Sequence, residues 1–322
     1  VWLNKTEGFD RISALAREGV AFLFIVSYDK SMIFAQPLCE LDEKILYSFE
    51  KKSTKTSQNS LKPFRFSHAP LDFYAYQKTL QKVQEEIRFG NTYLLNLTFA
   101  TPIETNLTLE EIFIHAKAPY KLLFKEHFVC FSPELFVEIT DNTIATYPMK
   151  GTIDATLPDA NATILSDPKE TAEHIMIVDL MRNDLAMIGT NVAVEKFRYV
   201  DQINAGKKSL LQVSSKITAT LPDDWREDLG DILCKILPAG SISGTPKKRT
   251  VEIIDQCEDY DRGFYTGVFG IFDGKNLSSS VMIRFIEQNK GKLYYKSGGG
   301  ITIDSNPKDE YNELIDKIYL PF

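Results

Sequence analysis

Stretches with strand character come in clusters along this chain, and the helical stretches fall between the clusters. Val20 to Tyr28 and Met32 to Pro37 read as two apolar strands around Asp29-Lys30, a hairpin-like start. Tyr93 to Ala100 reads as a strand, and Lys121 to Ile139 as a run of short strands broken at Ser132-Pro133. Ile144 to Tyr147, Asn191 to Tyr199 and Ser209 to Leu221 add more, and Thr266 to Phe272, Ser278 to Glu287 and Lys292 to Ser297 follow one another directly. Phe73, Tyr76, Leu80, Val83 and Ile87 recur at alternating spacings of three and four, which predicts an amphipathic helix stopped near Gly90. Further helices are predicted over Leu107 to Ala116, Glu170 to Ile188, Asp224 to Leu237, from Pro246 to about Glu258, and from Pro307 to Ile318. Strict βαβα alternation is missing, so a doubly wound parallel sheet is disfavoured and an α+β fold with large antiparallel sheets is expected.

Length alone allows about two domains at ~150 residues each, or one large unit. No repeat or low-complexity segment is visible and no clean linker halves the chain; Glu50 to Lys62, polar and without periodicity, reads as a surface loop. Net charge is -7, so bulk attraction to nucleic acid or to an anionic membrane is not expected, whereas a small anionic substrate needs only a few local cations. Cys39, Cys130, Cys234 and Cys257 are far apart with no CxxC pair, which argues against a disulfide framework or zinc site. No signal peptide is visible, and the longest apolar stretch, Val20 to Val26, is far below the ~20 residues of a membrane helix. A soluble cytoplasmic protein is expected.

The C-terminal part is richest in chemistry. Gly298-Gly299-Gly300 follows a strand, and such glycines let backbone approach a ligand or simply end the strand in a turn. Asn306 before Pro307 fits an N-cap with proline at the first helical position. In the helix that follows, Glu310 and Glu313 share a face about 5–6 Å apart at Cβ; Lys317 lies one turn beyond. Two carboxylates on one face suit Mg²⁺, and equally an ordinary solvated Glu–Lys face. Gly240 to Lys247 is a second glycine-rich loop that lacks the Walker spacing. Arg284 sits inside an apolar strand, where a cation needs a carboxylate partner from the protein or a ligand. Tyr147-Pro148-Met149-Lys150-Gly151-Thr152 and Glu173-His174 complete the candidates, each with a bland surface or structural reading beside the functional one.

Taken together and in order, these segments resemble the chorismate-utilising enzymes. The resemblance rests on Gly240 to Arg249, Arg262 to Gly267, Ile283-Arg284, the triple glycine with Asp304-Ser305, Glu310 through Lys317, and Glu173 to Asp184, and it runs from about Asp72 to Ile318. It implies one catalytic domain over residues 1–322, with 1–71 a short strand region and 72–318 the family core, built as two antiparallel sheets packed as a sandwich with helices outside. Within the family, Pro148 to Thr152 resembles the motif of aminodeoxychorismate synthase component I; anthranilate synthases typically have alanine where Lys150 stands. The stretch Asn91 to Thr98 lacks the base lysine of isochorismate and salicylate synthases.

The resemblance then assigns roles. Glu173, Glu310 and Glu313 hold Mg²⁺. Gly151, Thr152, His174, Tyr265, Arg284, Gly299, Gly300 and Lys317 bind chorismate. Lys150 is the nucleophile and Glu134 the acid. A lysine's ordinary pKa of about 10.4 must be lowered for that nucleophilic role. At Gln212 many family members have a histidine, which places a proton-transfer role there in doubt. None of the four cysteines sits in the glycine-flanked elbow of a glutaminase, so a separate glutamine amidotransferase subunit is expected to supply ammonia. No Leu-Leu-Glu-Ser segment lies between Val1 and Lys62, so no tryptophan feedback is expected. The implied activity is amination of chorismate at C4 for 4-aminobenzoate and folate synthesis. The alternatives are anthranilate synthase component I and, in another class, a non-catalytic chorismate-binding protein.

Overall fold

A computed structural model of the protein describes residues 2–49, 52–54, 60–205 and 208–322. Of the expected loop Glu50 to Lys62, residues 50, 51 and 55–59 lie outside the described residues, and Lys52–Ser53 is a short strand. The chain divides into two compact units, each assembled from three separate segments. Each unit carries one large antiparallel sheet.

The first unit comprises Val1–Glu40, Glu134–Ser241 and Gly267–Val281. Among the described residues its sheet has nine strands. The order is Met149–Asp154, Lys208–Thr220, Thr143–Thr146, Leu135–Thr140, Leu277–Val281, Val268–Phe272, Phe22–Val26 and Ile33–Pro37, with Thr190–Ala205 also on Lys208–Thr220. Phe22–Val26 is apolar at every position and buried at every position, as a strand covered on both faces must be. Phe24 lies opposite Gly270, where a Cβ would sit 2.5 Å from the Phe24 ring, so this glycine makes room for an aromatic. The helix Pro168–Ala186 starts at an Asp167 N-cap that accepts the Glu170 N–H at 3.0 Å. It buries Ile177, Val178, Leu180, Met181 and Leu185, but also Glu173 and His174. Charged and polar groups on a buried helix face call for partners.

The second unit comprises Leu41–Pro133, Ile242–Thr266 and Met282–Phe322. Its sheet, also of nine strands among the described residues, runs Gly244–Thr245, Leu94–Thr105, Lys292–Ile301, Phe285–Asn289, Phe128–Ser132, Tyr120–Phe124, Ile45–Phe49 and Lys52–Ser53. Phe66–His68 pairs with Leu94–Thr105 as well. The three-four stripe forms the helix Phe73–Arg88, capped by Asp72, whose carboxylate accepts the Tyr74 N–H at 2.9 Å. Tyr76, Leu80 and Val83 pack with Leu95, Leu97, Ile254 and Leu314. Burying each such side chain stabilises by about 1.5–3 kcal/mol.

Two expectations need correction. Gly298-Gly299-Gly300 does not end a strand; the three glycines lie within Lys292–Ile301, in register with Thr98, Leu97 and Asn96. A Cβ on Gly298 would sit 2.4 Å from the Leu97 carbonyl oxygen, so close strand approach explains that glycine. Ser278 to Glu287 is not one strand: it splits into Leu277–Val281 and Phe285–Asn289, and Arg284 occupies the break at φ +51° instead of lying inside a strand. The apolar pattern runs through the break because Met282 is itself fully buried.

Candidate active site

In the first unit, Met149 is in register with Ser214 and Thr152 with Gln212, so Lys150 and Gly151 together face a single partner residue. That is a bulge, and Gly151 supplies the positive φ of 82° it requires. A Cβ on Gly151 would come within 3.3 Å of the Glu170 carboxylate. Lys150 leaves the bulge to meet Glu173: Nζ and Oε2 are 3.0 Å apart, with Glu173 only 7 % exposed. Thr152 is exposed. His174 is 1 % exposed, and its Nε2 lies 2.6 Å from Ser215 Oγ. Burial, then the Arg198 and Lys150 charges, pull its pKa down to about 4, so the ring is neutral near pH 7. Glu134 follows Pro133 and accepts a short hydrogen bond from the Ser241 hydroxyl. Its carbonyl accepts from Ser280 Oγ at 2.7 Å and from the Val281 N–H at 3.2 Å, which fixes the backbone from which the carboxylate projects.

In the second unit, Asn306 caps the helix Pro307–Asp316, accepting the Lys308 and Asp309 N–H groups at 2.8 and 3.2 Å. This sets the rotation of Glu310 and Glu313. Glu310 is 6 % exposed and accepts from Ser305 Oγ at 2.8 Å. Glu313 pairs with Lys317 at 2.6 Å, and Lys317 also donates to the Gly298 carbonyl at 2.8 Å. Three charged atoms converge over one glycine: a Cβ on Gly299 would lie 3.7 Å from Glu310 Oε2, 3.7 Å from Lys317 Nζ and 3.8 Å from Glu313 Oε1. Gly300 is next on the strand, opposite Asn96. Burial and the two carboxylates raise the pKa of the Tyr76 phenol well above its ordinary value. Arg284 donates to the Lys317 carbonyl at 3.2 Å and stacks over Tyr319, 5.2 Å from the ring centre, while its buried Nε has no hydrogen-bond partner among the described residues. Tyr265 is buried, with its ring 5.8 Å from that of Phe285.

Glu310 and Glu313, two hard carboxylates aimed at one point, are a donor set that fits Mg²⁺ chemically. Among the described residues no group of three or more His, Cys, Asp or Glu side chains is gathered as a metal cage. Mg²⁺ usually keeps several waters and takes one or two carboxylates plus substrate oxygens, so a complete cage is not required.

Several pairings escaped the sequence reading. Glu258 and Arg262 form an ion pair with both side chains 2 % exposed. The Arg262 guanidinium binds the carboxylate through Nε at 2.7 Å and Nη2 at 2.6 Å. It also donates to the Ile242 and Asn96 carbonyls, at 2.9 and 2.6 Å. The i,i+4 spacing of Glu258 and Arg262 was the available signal. Ser215 and Arg198, which surround His174, gave no signal, because a serine in a Val- and Thr-rich strand is unremarkable in type.

Residues 20–321 match the family described as chorismate binding enzyme, so the match begins well before Asp72. A PabA-like protein of Haemophilus influenzae is 50 % identical over 307 residues, 95 % of this chain and 93 % of its own length. Aminodeoxychorismate synthase component 1 of Salmonella typhimurium is 33 % identical over 276 residues, and the match covers 80 % of this chain but 59 % of that protein. Among solved structures, the menaquinone-specific isochorismate synthase of Escherichia coli superposes with a TM-score of 0.74 at 16 % identity, covering 98 % of this chain and 82 % of that one. Anthranilate synthase component I of Streptococcus pneumoniae gives 0.65 at 27 % identity, over 80 % of this chain and 59 % of that one. No helix among the described residues is long and apolar enough to cross a membrane. The chain belongs to the chorismate binding enzyme family.

Proposed function

We propose that this chorismate-utilising enzyme is an aminodeoxychorismate synthase that replaces the C4 hydroxyl of chorismate with nitrogen, for 4-aminobenzoate and folate synthesis. The observation that carries the reading is Lys150. It sits on a bulge and is held at 3.0 Å by a buried carboxylate, which a solvated surface lysine does not need. The motif Pro148 to Thr152 around it is the one that resembles aminodeoxychorismate synthases.

On this reading Arg284, Lys317, Tyr265 and the Gly299–Gly300 backbone bind the enolpyruvyl carboxylate of the dianionic substrate, with Arg284 offering a planar fork. Gly151, Thr152 and His174 contribute further contacts. Glu173, Glu310 and Glu313 hold Mg²⁺, directly or through water. When bound, the metal neutralises and orients the ring carboxylate. Lys150 releases one proton to solvent, against the neighbouring Glu173 carboxylate, which favours its charged form, and the neutral Nζ then forms a bond to C2. The ring double bonds shift, the C4–O bond breaks, and Glu134 protonates the departing oxygen so that it leaves as water. Ammonia from a separate glutamine amidotransferase subunit then bonds to C4, the C2–Nζ bond breaks, and Lys150 returns as an amine. The proton shed by the new C–N⁺ centre restores Glu134.

The test incubates the protein with chorismate, Mg²⁺ and ammonium salt. A product that becomes 4-aminobenzoate only after a lyase is added supports the reading; fluorescent anthranilate with pyruvate overturns it. That second outcome is a specific alternative, because an anthranilate synthase component 1 of Acetivibrio thermocellus is 34 % identical over 258 residues. Binding without turnover would point to a non-catalytic chorismate-binding protein. Mass spectrometry of the protein with chorismate tests the covalent step. A Lys150→Ala variant that aminates at the full rate refutes the nucleophile role.

A further inference from the structure

The surroundings of His174 decide which of its ring nitrogens carries a proton. Ser215 Oγ has two hydrogen-bond partners among the described residues: the Arg198 N–H, which donates to it at 2.9 Å, and His174 Nε2 at 2.6 Å. The Arg198 N–H uses one lone pair of Oγ. Among the described residues the Ser215 hydroxyl proton then has a single acceptor within reach, Nε2. A hydroxyl that donates to Nε2 requires Nε2 to be bare, and a neutral imidazole with bare Nε2 carries its proton on Nδ1. His174 Nδ1 is buried and has no partner among the described residues. Leaving a buried N–H unsatisfied costs about 1–3 kcal/mol, so such a group asks for an acceptor.

The chain invests local strain in this arrangement. Lys196 is in register with Lys216 and Tyr199 with Ser214, so Phe197 and Arg198 together face Ser215. At this bulge Arg198 adopts a positive φ of 49°, uncommon for a residue with a Cβ, and this conformation turns its N–H toward Oγ. Its guanidinium is tied down separately, donating to the Leu165 carbonyl at 3.0 Å. From the other side, the Ser215 N–H donates to the Pro148 carbonyl at 3.0 Å, two residues before Lys150. The His174 ring is braced edge-on by Phe197, with centroids 5.9 Å apart.

We propose that Ser215 is a positioning residue that fixes His174 as the neutral Nδ1–H tautomer, so that this buried N–H is kept as a donor for an oxygen of the bound substrate. The substrate assignment rests on the proposed function; the tautomer does not. The chain has four histidines, so ¹⁵N-histidine labelling gives a readable spectrum, with His174 identified by its loss in His174→Gln. In the free protein at pH 7 the expected pattern for His174 is a bare Nε2 and a protonated Nδ1. In Ser215→Ala that preference is expected to disappear while the other three histidines stay unchanged, which also shows that the variant folds. A protonated Nε2 in the unmodified protein, or a pattern indifferent to Ser215→Ala, overturns the tautomer assignment. Chorismate is then titrated into the labelled protein, with calorimetry in parallel. A shift of the His174 Nδ1–H that saturates with the calorimetric isotherm is expected, together with a tenfold or larger rise in KM and a smaller change in kcat for Ser215→Ala. Calorimetric binding with an unmoved His174 signal overturns the donor role while the proposed function stands. The absence of any chorismate binding overturns the substrate assignment and leaves the tautomer result intact.

Discussion

Neighbouring glycines on the strand Lys292–Ile301 make opposite predictions for the same substitution. At Gly298 an added methyl would meet the Leu97 carbonyl oxygen at 2.4 Å, the Thr98 side chain at 2.6 Å and the Thr98 Cα at 2.9 Å. Two of these atoms are backbone of the paired strand and cannot rotate away. Overpacking of this kind costs about 1–3 kcal/mol. At about 2–4 °C per kcal/mol for a chain of this order of size, Gly298→Ala should lower the melting temperature by roughly 2–12 °C. At Gly299 the nearest atoms are 3.7–3.8 Å away, ordinary contact distance, so Gly299→Ala should melt within about 2 °C of the parent. Its methyl, however, sits where Glu310, Glu313 and Lys317 converge, in the space the proposed function reserves for substrate. Steady-state kinetics should show KM for chorismate raised at least tenfold. Differential scanning fluorimetry and the ammonium-dependent assay on both variants make the comparison. Full activity of Gly299→Ala would refute the placement of substrate over that glycine. An unchanged melting temperature for Gly298→Ala would refute the steric reading of the strand.

Other perturbations follow from the same geometry. As pH falls below about 6.5 the unfolded chain protonates His174 while the folded protein resists until about pH 4, so stability is lost through that window. In chelator, denaturant titration at pH 7 and pH 5 should show about 2 kcal/mol of loss that His174→Asn removes; equal losses in both proteins would contradict it. Glu258→Gln removes the carboxylate charge beside the buried Arg262 guanidinium and should cost about 3–5 kcal/mol, visible as a melting temperature lower by roughly 6–20 °C. Chelation with EDTA should abolish amination and Mg²⁺ should restore it, with Glu313→Gln shifting the Mg²⁺ requirement upward at least tenfold; activity that survives chelation contradicts the metal role.

What the sequence disclosed depended on whether a signal was local. The stripe from Phe73 to Ile87, the Asn306-Pro307 cap and the apolar run Phe22–Val26 each carry their structure in consecutive residues, and each was legible. The charged face of Glu310, Glu313 and Lys317 was legible too, because helical spacing determines it. The glycine triplet was misread because strand pairing with Leu97 and Thr98, some two hundred positions away, decides its role. Arg284 was placed inside a strand because the buried Met282 beside the break continues the apolar pattern. Ser215 and Arg198 were invisible: their effect on His174 comes from a register shift between two strands, and register is not written in residue type.

The discontinuity of the two units bears on how the chain is made. Val268–Phe272 and Leu277–Val281 join the Phe22–Val26 part of the first sheet to the Leu135–Thr140 part. Phe285–Asn289 and Lys292–Ile301 do the same in the second, joining Phe128–Ser132 to Leu94–Thr105. Both central hairpins are synthesised late, so a nascent chain emerging at about 5–20 residues per second carries several unpaired strand edges before either sheet can close. Such pairings over long sequence separation also fold slowly. Demand for chaperone protection on the ribosome should therefore peak just before residue 281 is exposed, and should fall once the last hairpin has emerged.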